Sequence, residues 1–186
     1  YNKPTQEGIY QHFRAVARES RLPIVAYNIP GRTGVNIAPA TMARIAKDMP
    51  TVIAVKEAAG SLDQVSEILT LTKPGFTVLS GDDSLTLPMM AVGARGVISV
   101  VANIAPKETS ALCSAYLKGD IKKAKALHLK LFPLIKSLFI ETNPIPVKAA
   151  LSMMGLCRPE PRLPLTPLTT DNRPALKKAL KEFNLI

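Results

Sequence analysis

The 186-residue chain is 47% hydrophobic and carries a formal net charge of +10, which predicts one globular domain, or part of one, with a sizeable apolar core. No apolar run reaches the roughly 18 residues that a membrane-spanning helix needs, and we expect neither a membrane partner nor a signal peptide. Aromatic residues make up only 5% of the chain and the lysines are spread over amphipathic segments, so a solvated basic face is favoured over a nucleic-acid site.

The first 117 residues alternate between predicted helices and predicted strands. Amphipathic spacing predicts helices over residues 4–18, 38–48, 83–92 and 106–117, and another that begins after Ser61. Ser61 is expected to cap that helix, with Gln64 in the capping-box position. Short apolar runs predict strands over residues 22–29, 52–56, 76–79 and 97–101. Regular alternation of this kind indicates a parallel sheet with right-handed crossovers.

Each predicted strand is followed by a polar or glycine-rich turn. Polar residues concentrated at the carboxyl ends of parallel strands are typical of a TIM (β/α)₈ barrel, the α/β fold class that we expect. A flavodoxin-like sheet is the alternative because four strands do not close a barrel, but it would not explain the helical tail. That tail is predicted to be helical over residues 121–138, from the break at 143–146 through 154, and over 174–184. We therefore predict an α/β domain over residues 1–118 and an all-helical domain over 119–186.

Lys56 stands at the carboxyl end of the apolar run 52–55, where parallel α/β sheets place their chemistry. Lysine is costly to bury unpaired, because a desolvated ammonium either finds a partner or loses its proton. A neutral amine is the nucleophile that Schiff-base catalysis needs. The alternative is that Lys56 only marks the end of the strand and points to solvent.

Two further polar side chains follow the preceding predicted strand. Tyr27 is a candidate general acid and base, because a phenol beside an amine can move protons during carbinolamine formation and dehydration. Arg32, in a Gly-Arg-Thr-Gly loop, offers a planar fork that suits a carboxylate. Taken alone, Tyr27 is more often an ordinary tyrosine at a strand edge, and Arg32 is more often a solvated loop arginine.

Other polar residues are given structural interpretations. The Gly81-Asp82-Asp83 run resembles a metal loop, but it supplies too few oxygen ligands for Mg²⁺, and helix capping by Asp82 or Asp83 is favoured. Glu141 could be a helix-end charge or a substrate contact, and the former is favoured. No metal site is predicted, because the two histidines and two cysteines lack ligand spacing, and the cysteines fit a reduced cytoplasmic setting. These four residues are His12, His128, Cys113 and Cys157.

Six motifs, in order along the chain, closely resemble the dihydrodipicolinate synthase family, which belongs to the pyruvate-dependent aldolase superfamily of N-acetylneuraminate lyase. They lie at residues 27–34 (YNIPGRTG), 55–58 (VKEA), 79–83 (LSGDD), 96–100 (GVISV), 143–148 (NPIPVK) and 162–167 (RLPLTP). The resemblance covers nearly the whole chain. It implies that residues 1–118 are the second half of a TIM barrel, followed by the helical domain, in a protein that is usually a homotetramer.

The resemblance also implies an activity: condensation of pyruvate with L-aspartate 4-semialdehyde in lysine and diaminopimelate biosynthesis, without a metal or organic cofactor. Lys56 would form an imine with pyruvate, and Tyr27 would relay protons. Arg32 would bind the carboxylate of aspartate semialdehyde. The substrate site would include Gly81 and the backbone carbonyl of Ile98. Tyr1 resembles the tyrosine that enters the neighbouring subunit's site and joins its proton relay.

Three functions are kept open by the sequence. The synthase is favoured over a related aldolase such as N-acetylneuraminate lyase, because the sialic-acid lyases share Tyr-Asn-Ile-Pro but lack the Arg-Thr-Gly that follows it here. The third possibility is a non-catalytic structural or regulatory piece. Family members carry roughly half a barrel ahead of the position of Tyr1, so we expect that an N-terminal half is needed and that this chain alone is not a stable, active monomer.

Overall fold

The computed structural model describes residues 2–186 and shows two compact units, the first ending at Ile98 and the second comprising Ser99–Ile186. The first unit is built on a parallel three-stranded sheet with strand order β1-β2-β3: β1 (Ile24–Asn28), β2 (Val52–Glu57) and β3 (Thr77–Ser80). The α/β class and the parallel sheet predicted from the alternating pattern are thus confirmed.

Helices precede, connect and follow the strands of the first unit: α1 (Gln6–Glu19) before β1, α2 (Pro30–Thr33) and α3 (Pro39–Asp48) between β1 and β2, α4 (Leu62–Leu71) between β2 and β3, and α5 (Thr86–Ala91) after β3, with a 3₁₀ turn at Asp83–Leu85. Their ends follow the predicted chemistry. The Ser61 hydroxyl accepts a hydrogen bond from the Gln64 amide at 3.1 Å, and the Asp82 carboxylate accepts one from the Ser84 amide at 2.8 Å. The favoured capping role of the Gly-Asp-Asp run is therefore confirmed, with Asp82 as the cap.

The two faces of the sheet differ in exposure. On one face Ala26, Val55 and Val78 are completely or almost completely buried, and they belong to a core shared with apolar side chains of α1, α3 and α4. On the other face Val25 and Tyr27 are 40% and 43% exposed. Because side chains alternate along a strand, residues next to each other in sequence at the strand ends point to opposite faces.

The predicted fourth strand, residues 97–101, is wrong. Val97 forms a single parallel bridge with Ser80, and the chain then turns into a 3₁₀ turn at Val101–Asn103. The Ser99 hydroxyl accepts a hydrogen bond from the Ala102 amide at 2.8 Å, which draws the backbone out of the extended conformation. An apolar, β-branched composition therefore did not suffice, because a strand also needs a continuous ladder on its neighbour.

The second unit is helical and contains α6 (Pro106–Leu117), α7 (Ile121–Ser137), α8 (Ile145–Met153) and α9 (Arg173–Glu182). The apolar residues Ala124, Leu131 and Leu134 of α7, and Leu138 at its C-terminal cap, are buried. Because α6 packs against α7, α6 belongs to the second compact unit, which begins at Ser99. The predicted boundary between the α/β domain and the helical domain, after residue 118, stays a prediction.

Glu141 joins two parts of the second unit. Its Oε1 accepts hydrogen bonds from the Thr169 amide at 3.0 Å, the Thr169 hydroxyl at 2.6 Å and the Asn172 amide group at 2.9 Å. The bonds from the Asn172 and Thr169 side chains lower the pKa of Glu141 below its usual value. The carboxylate therefore fastens the segment after α7 to the start of α9.

We expect Glu141→Gln to destabilise the chain at neutral pH, by less than about 1 kcal/mol because a partly exposed charge is screened by solvent. A lowered folded-state pKa contributes stability above the unfolded-state pKa, and this contribution is lost as the pH falls through the folded value. The destabilisation should therefore shrink below about pH 4. Urea unfolding at pH 7 and pH 3.5 would measure both effects.

Glu160→Gln is the matched control for that experiment, because Glu160 is an exposed residue of the same unit. An equal loss of stability in the two variants, or a Glu141→Gln effect that does not depend on pH, would contradict the assigned role.

Candidate active site

Lys56 and Tyr27 are neighbours on the exposed face of the sheet. The parallel register of β1 and β2 pairs them directly, and the Lys56 Nζ lies 4.0 Å from the centroid of the Tyr27 ring. Lys56 is half-buried, whereas the ring is 43% exposed. A cation at this distance over an aromatic face is attracted by it, so the pair holds an amine beside a phenol at one edge of the sheet.

Gly81 lies against Lys56 from the side of β3. Its amide donates a hydrogen bond to the Glu57 carbonyl oxygen at 2.7 Å. A Cβ atom added at Gly81 would lie 2.7 Å from the Cβ of Ala58 and 3.2 Å from the Cε of Lys56. Any larger residue would therefore displace the Ala58 or Lys56 side chain. Gly81 contributes space to the site rather than a side chain.

Arg32 lies on α2, which begins two residues after the end of β1. Its side chain is exposed. The short helix ends at Gly34, whose φ of 68° belongs to the left-handed region that favours glycine. The structure thus carries the guanidinium on the loop that follows the Tyr27 strand, at the same edge of the sheet as Lys56.

Ile98 completes the edge beyond β3. Its amide donates a hydrogen bond to the Ser80 carbonyl oxygen at 2.9 Å, and its side chain is 42% exposed. Tyr1, the predicted relay residue, lies outside the described residues. Within residues 2–186, no group of three or more His, Cys, Asp or Glu side chains could hold a metal ion, and no helix has both the length and the apolar character to cross a membrane.

A buried polar cluster behind the Lys56–Tyr27 pair was missed by the sequence reasoning. Glu57 is 2% exposed, and its two carboxylate oxygens each accept a hydrogen bond from Asn28 Nδ2 at 3.0 Å. The Ala59 amide donates to Oε1 at 2.7 Å, and Gln64 Nε2 donates to Oε2 at 2.9 Å. The available signal was that a polar residue directly follows each predicted catalytic residue, as Tyr27-Asn28 and Lys56-Glu57.

Comparison with known proteins agrees with this geometry. The model of the dihydrodipicolinate synthetase family matches residues 1–183. The chain is 53% identical to the 4-hydroxy-tetrahydrodipicolinate synthases of Persephonella marina and Oleidesulfovibrio alaskensis, covering all of this chain and 64% of each relative. Thus the chain spans about two thirds of the length of these relatives.

Solved structures show the same similarity. The dihydrodipicolinate synthase of Thermotoga maritima superimposes with a TM-score of 0.97 at 49% identity, over 100% of this chain and 64% of that one. The chloride-inhibited enzyme of Acinetobacter baumannii, complexed with pyruvate, gives a TM-score of 0.95 at 45% identity, again over 100% and 64%. A family model that spans nearly every residue, joined to this agreement in fold, shows that the chain belongs to the dihydrodipicolinate synthetase family.

Proposed function

We propose that this chain carries the catalytic lysine of a 4-hydroxy-tetrahydrodipicolinate synthase, which condenses pyruvate with L-aspartate 4-semialdehyde in lysine and diaminopimelate biosynthesis. The single observation that carries the proposal is the Lys56 amine held 4.0 Å from the Tyr27 ring centroid at the carboxyl edge of a parallel sheet. Relatives named as this synthase are 53% identical to the chain, and a solved relative binds pyruvate.

The chemistry begins with the neutral amine of Lys56, which attacks the keto carbon of pyruvate. The resulting carbinolamine loses water to give an imine, and the Tyr27 phenol supplies and accepts the protons that these steps need. The imine then acts as an electron sink when the methyl carbon loses a proton. The enamine formed in this way attacks the aldehyde carbon of the second substrate, so no metal or organic cofactor is required.

The other site residues bind the substrates or shape the pocket around them. Arg32 would hold the carboxylate of aspartate semialdehyde with its planar fork, and Ile98 would direct its carbonyl towards the pyruvate adduct. Gly81 would leave room for the lysine and the adduct. Tyr1 would join the proton relay of a neighbouring subunit in a homotetramer or dimer. The expected setting of this reaction is the cytoplasm.

The exposed face of the sheet fits this function. We infer that β1, β2 and β3 belong to the second half of a TIM (β/α)₈ barrel whose further strands cover the exposed side chains of Val25, Tyr27 and Ile53. In such a barrel these side chains line the interior, and Lys56 stands in the mouth at the catalytic end.

Borohydride trapping with pyruvate tests the proposal. The chain, together with the N-terminal half of the barrel that we expect it to need, is incubated with pyruvate and sodium borohydride, and the adduct is located by intact and peptide mass spectrometry. We expect one pyruvate-derived adduct, on the peptide that contains Lys56. An adduct spread over several surface lysines, or none at all on a folded sample, would contradict the proposed function.

The choice of aldehyde separates the synthase from its relatives. Turnover with pyruvate and aspartate semialdehyde, but not with N-acetylmannosamine, is expected if Arg32 binds a carboxylate on the second substrate. The opposite preference would indicate a lyase of the N-acetylneuraminate type.

A further inference from the structure

Glu57 is a buried carboxylate that neutral N–H groups hold in place. It follows Lys56 directly on β2, and its four hydrogen bonds come from Asn28, Ala59 and Gln64. Among the residues that the structure describes, no lysine or arginine forms a salt bridge with it. Hydrogen bonds to an ionised acceptor are stronger than neutral ones, and removing such an acceptor leaves buried donors without a partner. The positions of the donors from Asn28, Ala59 and Gln64 therefore depend on the Glu57 carboxylate.

The same cluster fixes both ends of the loop that carries Arg32. At the beginning of the loop, Asn28 donates to Asn36 Oδ1 at 2.8 Å and accepts from the Ile37 amide at 3.0 Å through its own Oδ1. At the end of the loop, Asn36 Nδ2 donates to Gln64 Oε1 at 2.7 Å. Because Asn28 and Gln64 both donate to Glu57, the loop closes on that carboxylate.

The cluster lies behind the reacting pair. Asn28 and Glu57 alternate with Tyr27 and Lys56 along their strands, so they project from the opposite, buried face of the sheet. The backbone supports the same register, since the Ala58 amide donates to the Asn28 carbonyl oxygen at 2.9 Å. A change at Glu57 therefore reaches the Lys56–Tyr27 pair without touching the substrate.

We propose that Glu57 is a positioning residue, which through Asn28, Asn36 and Gln64 sets both the Lys56–Tyr27 separation and the place of the Arg32 loop. This inference rests on the proposed function, because the effect of positioning is measured on imine formation and on binding of the second substrate. The buried Glu57 would thus align the nucleophile Lys56 with Arg32, the arginine proposed to bind the second substrate.

Glu57→Gln tests the proposal, because it keeps the size of the side chain but turns one acceptor oxygen into a donor that faces other donors. With the N-terminal half of the barrel present, we expect imine formation with pyruvate, measured by borohydride trapping, to slow about 10- to 100-fold. The KM for aspartate semialdehyde should rise about threefold or more, while the melting transition stays cooperative. Amide hydrogen exchange at Ile37 and Ala59 should accelerate about tenfold.

Matched variants separate positioning from general damage. Glu67→Gln makes the same chemical change at an exposed site on α4 and should leave every readout unchanged. The double variant Glu57→Gln with Gln64→Glu returns a carboxylate to the cluster and should restore a good part of the imine rate. A merely structural lesion would not be rescued in this way.

A folded Glu57→Gln variant with the wild-type imine rate and wild-type amide exchange overturns the proposal. If that variant does not fold, Gln64→Met decides. It removes the side-chain amide that donates to Glu57 and accepts from Asn36, and it keeps the Ser61 cap, which uses the backbone amide. Slower imine formation supports positioning, and wild-type kinetics overturn it. If the unaltered protein traps no pyruvate, the proposed function fails. The role of Glu57 in holding the cluster is then tested by amide hydrogen exchange alone. Unchanged exchange at Ile37 and Ala59 in Glu57→Gln overturns that role.

Discussion

Lys56→Arg is expected to abolish the pyruvate adduct and to lower synthase turnover by about three orders of magnitude or more. The guanidinium keeps the positive charge and much of the length of the side chain, so it can still lie over the Tyr27 ring. It cannot lose its proton in a protein, however, so no nucleophilic lone pair becomes available. The fold should survive, because Lys56 is only half-buried on the exposed face of the sheet.

The measurement is borohydride trapping followed by peptide mass spectrometry, with thermal unfolding monitored by circular dichroism on the same samples. Lys73→Arg is the control, since Lys73 is an exposed lysine outside the site and should keep both the adduct and turnover. A pyruvate adduct that persists in Lys56→Arg would mean that another lysine is the nucleophile, and the assignment of the site would fall.

The sequence was informative about Lys56 and Tyr27 for a simple reason. Two short apolar runs end in a polar residue, and parallel strands bring such ends to the same edge of a sheet. The structure adds the register, which pairs the two residues directly. Register follows from side-chain packing on the helices that cover the sheet, and no local sequence pattern contains it.

The buried cluster could not be predicted for a related physical reason. Gln64 occupies a capping-box position, where a side chain usually turns back to the amide of the cap. Here its amide group bonds instead to Asn36 and Glu57, because the tertiary fold brings a carboxylate within reach. Local pattern predicted the cap at Ser61 correctly, but it could not show which long-range partner would take the Gln64 side chain.

The strand predicted at residues 97–101 fails on the same distinction between local and long-range information. Its composition resembles that of β2, yet it forms only the bridge at Val97. What makes β2 a strand is a hydrogen-bonded neighbour on each side, and composition alone does not reveal whether a neighbour is there.

Gly81→Ala is expected to impair both stability and imine formation, because the new methyl group has no free space. It would meet the Ala58 Cβ at 2.7 Å and the Lys56 Cε at 3.2 Å, and neither distance is tolerated without movement. Overpacking of this kind costs about 1–3 kcal/mol. A shift of Lys56 away from Tyr27 by a fraction of an ångström should slow imine formation about tenfold or more.

Ala58→Gly tests the steric explanation, because it removes the methyl group at the closest contact. In the double variant Ala58→Gly with Gly81→Ala, most of the lost stability and imine rate should return, although the Glu57 carbonyl oxygen at 3.2 Å still limits the fit. Gly31→Ala is the stability control, since nothing lies within 4 Å of its added Cβ. If Gly81→Ala melts like the parent chain and traps pyruvate at the parent rate, the steric account of Gly81 is wrong. If the double variant is no better than Gly81→Ala, the obstruction comes from Lys56 itself or from the backbone, and the space at Gly81 serves the lysine rather than the turn.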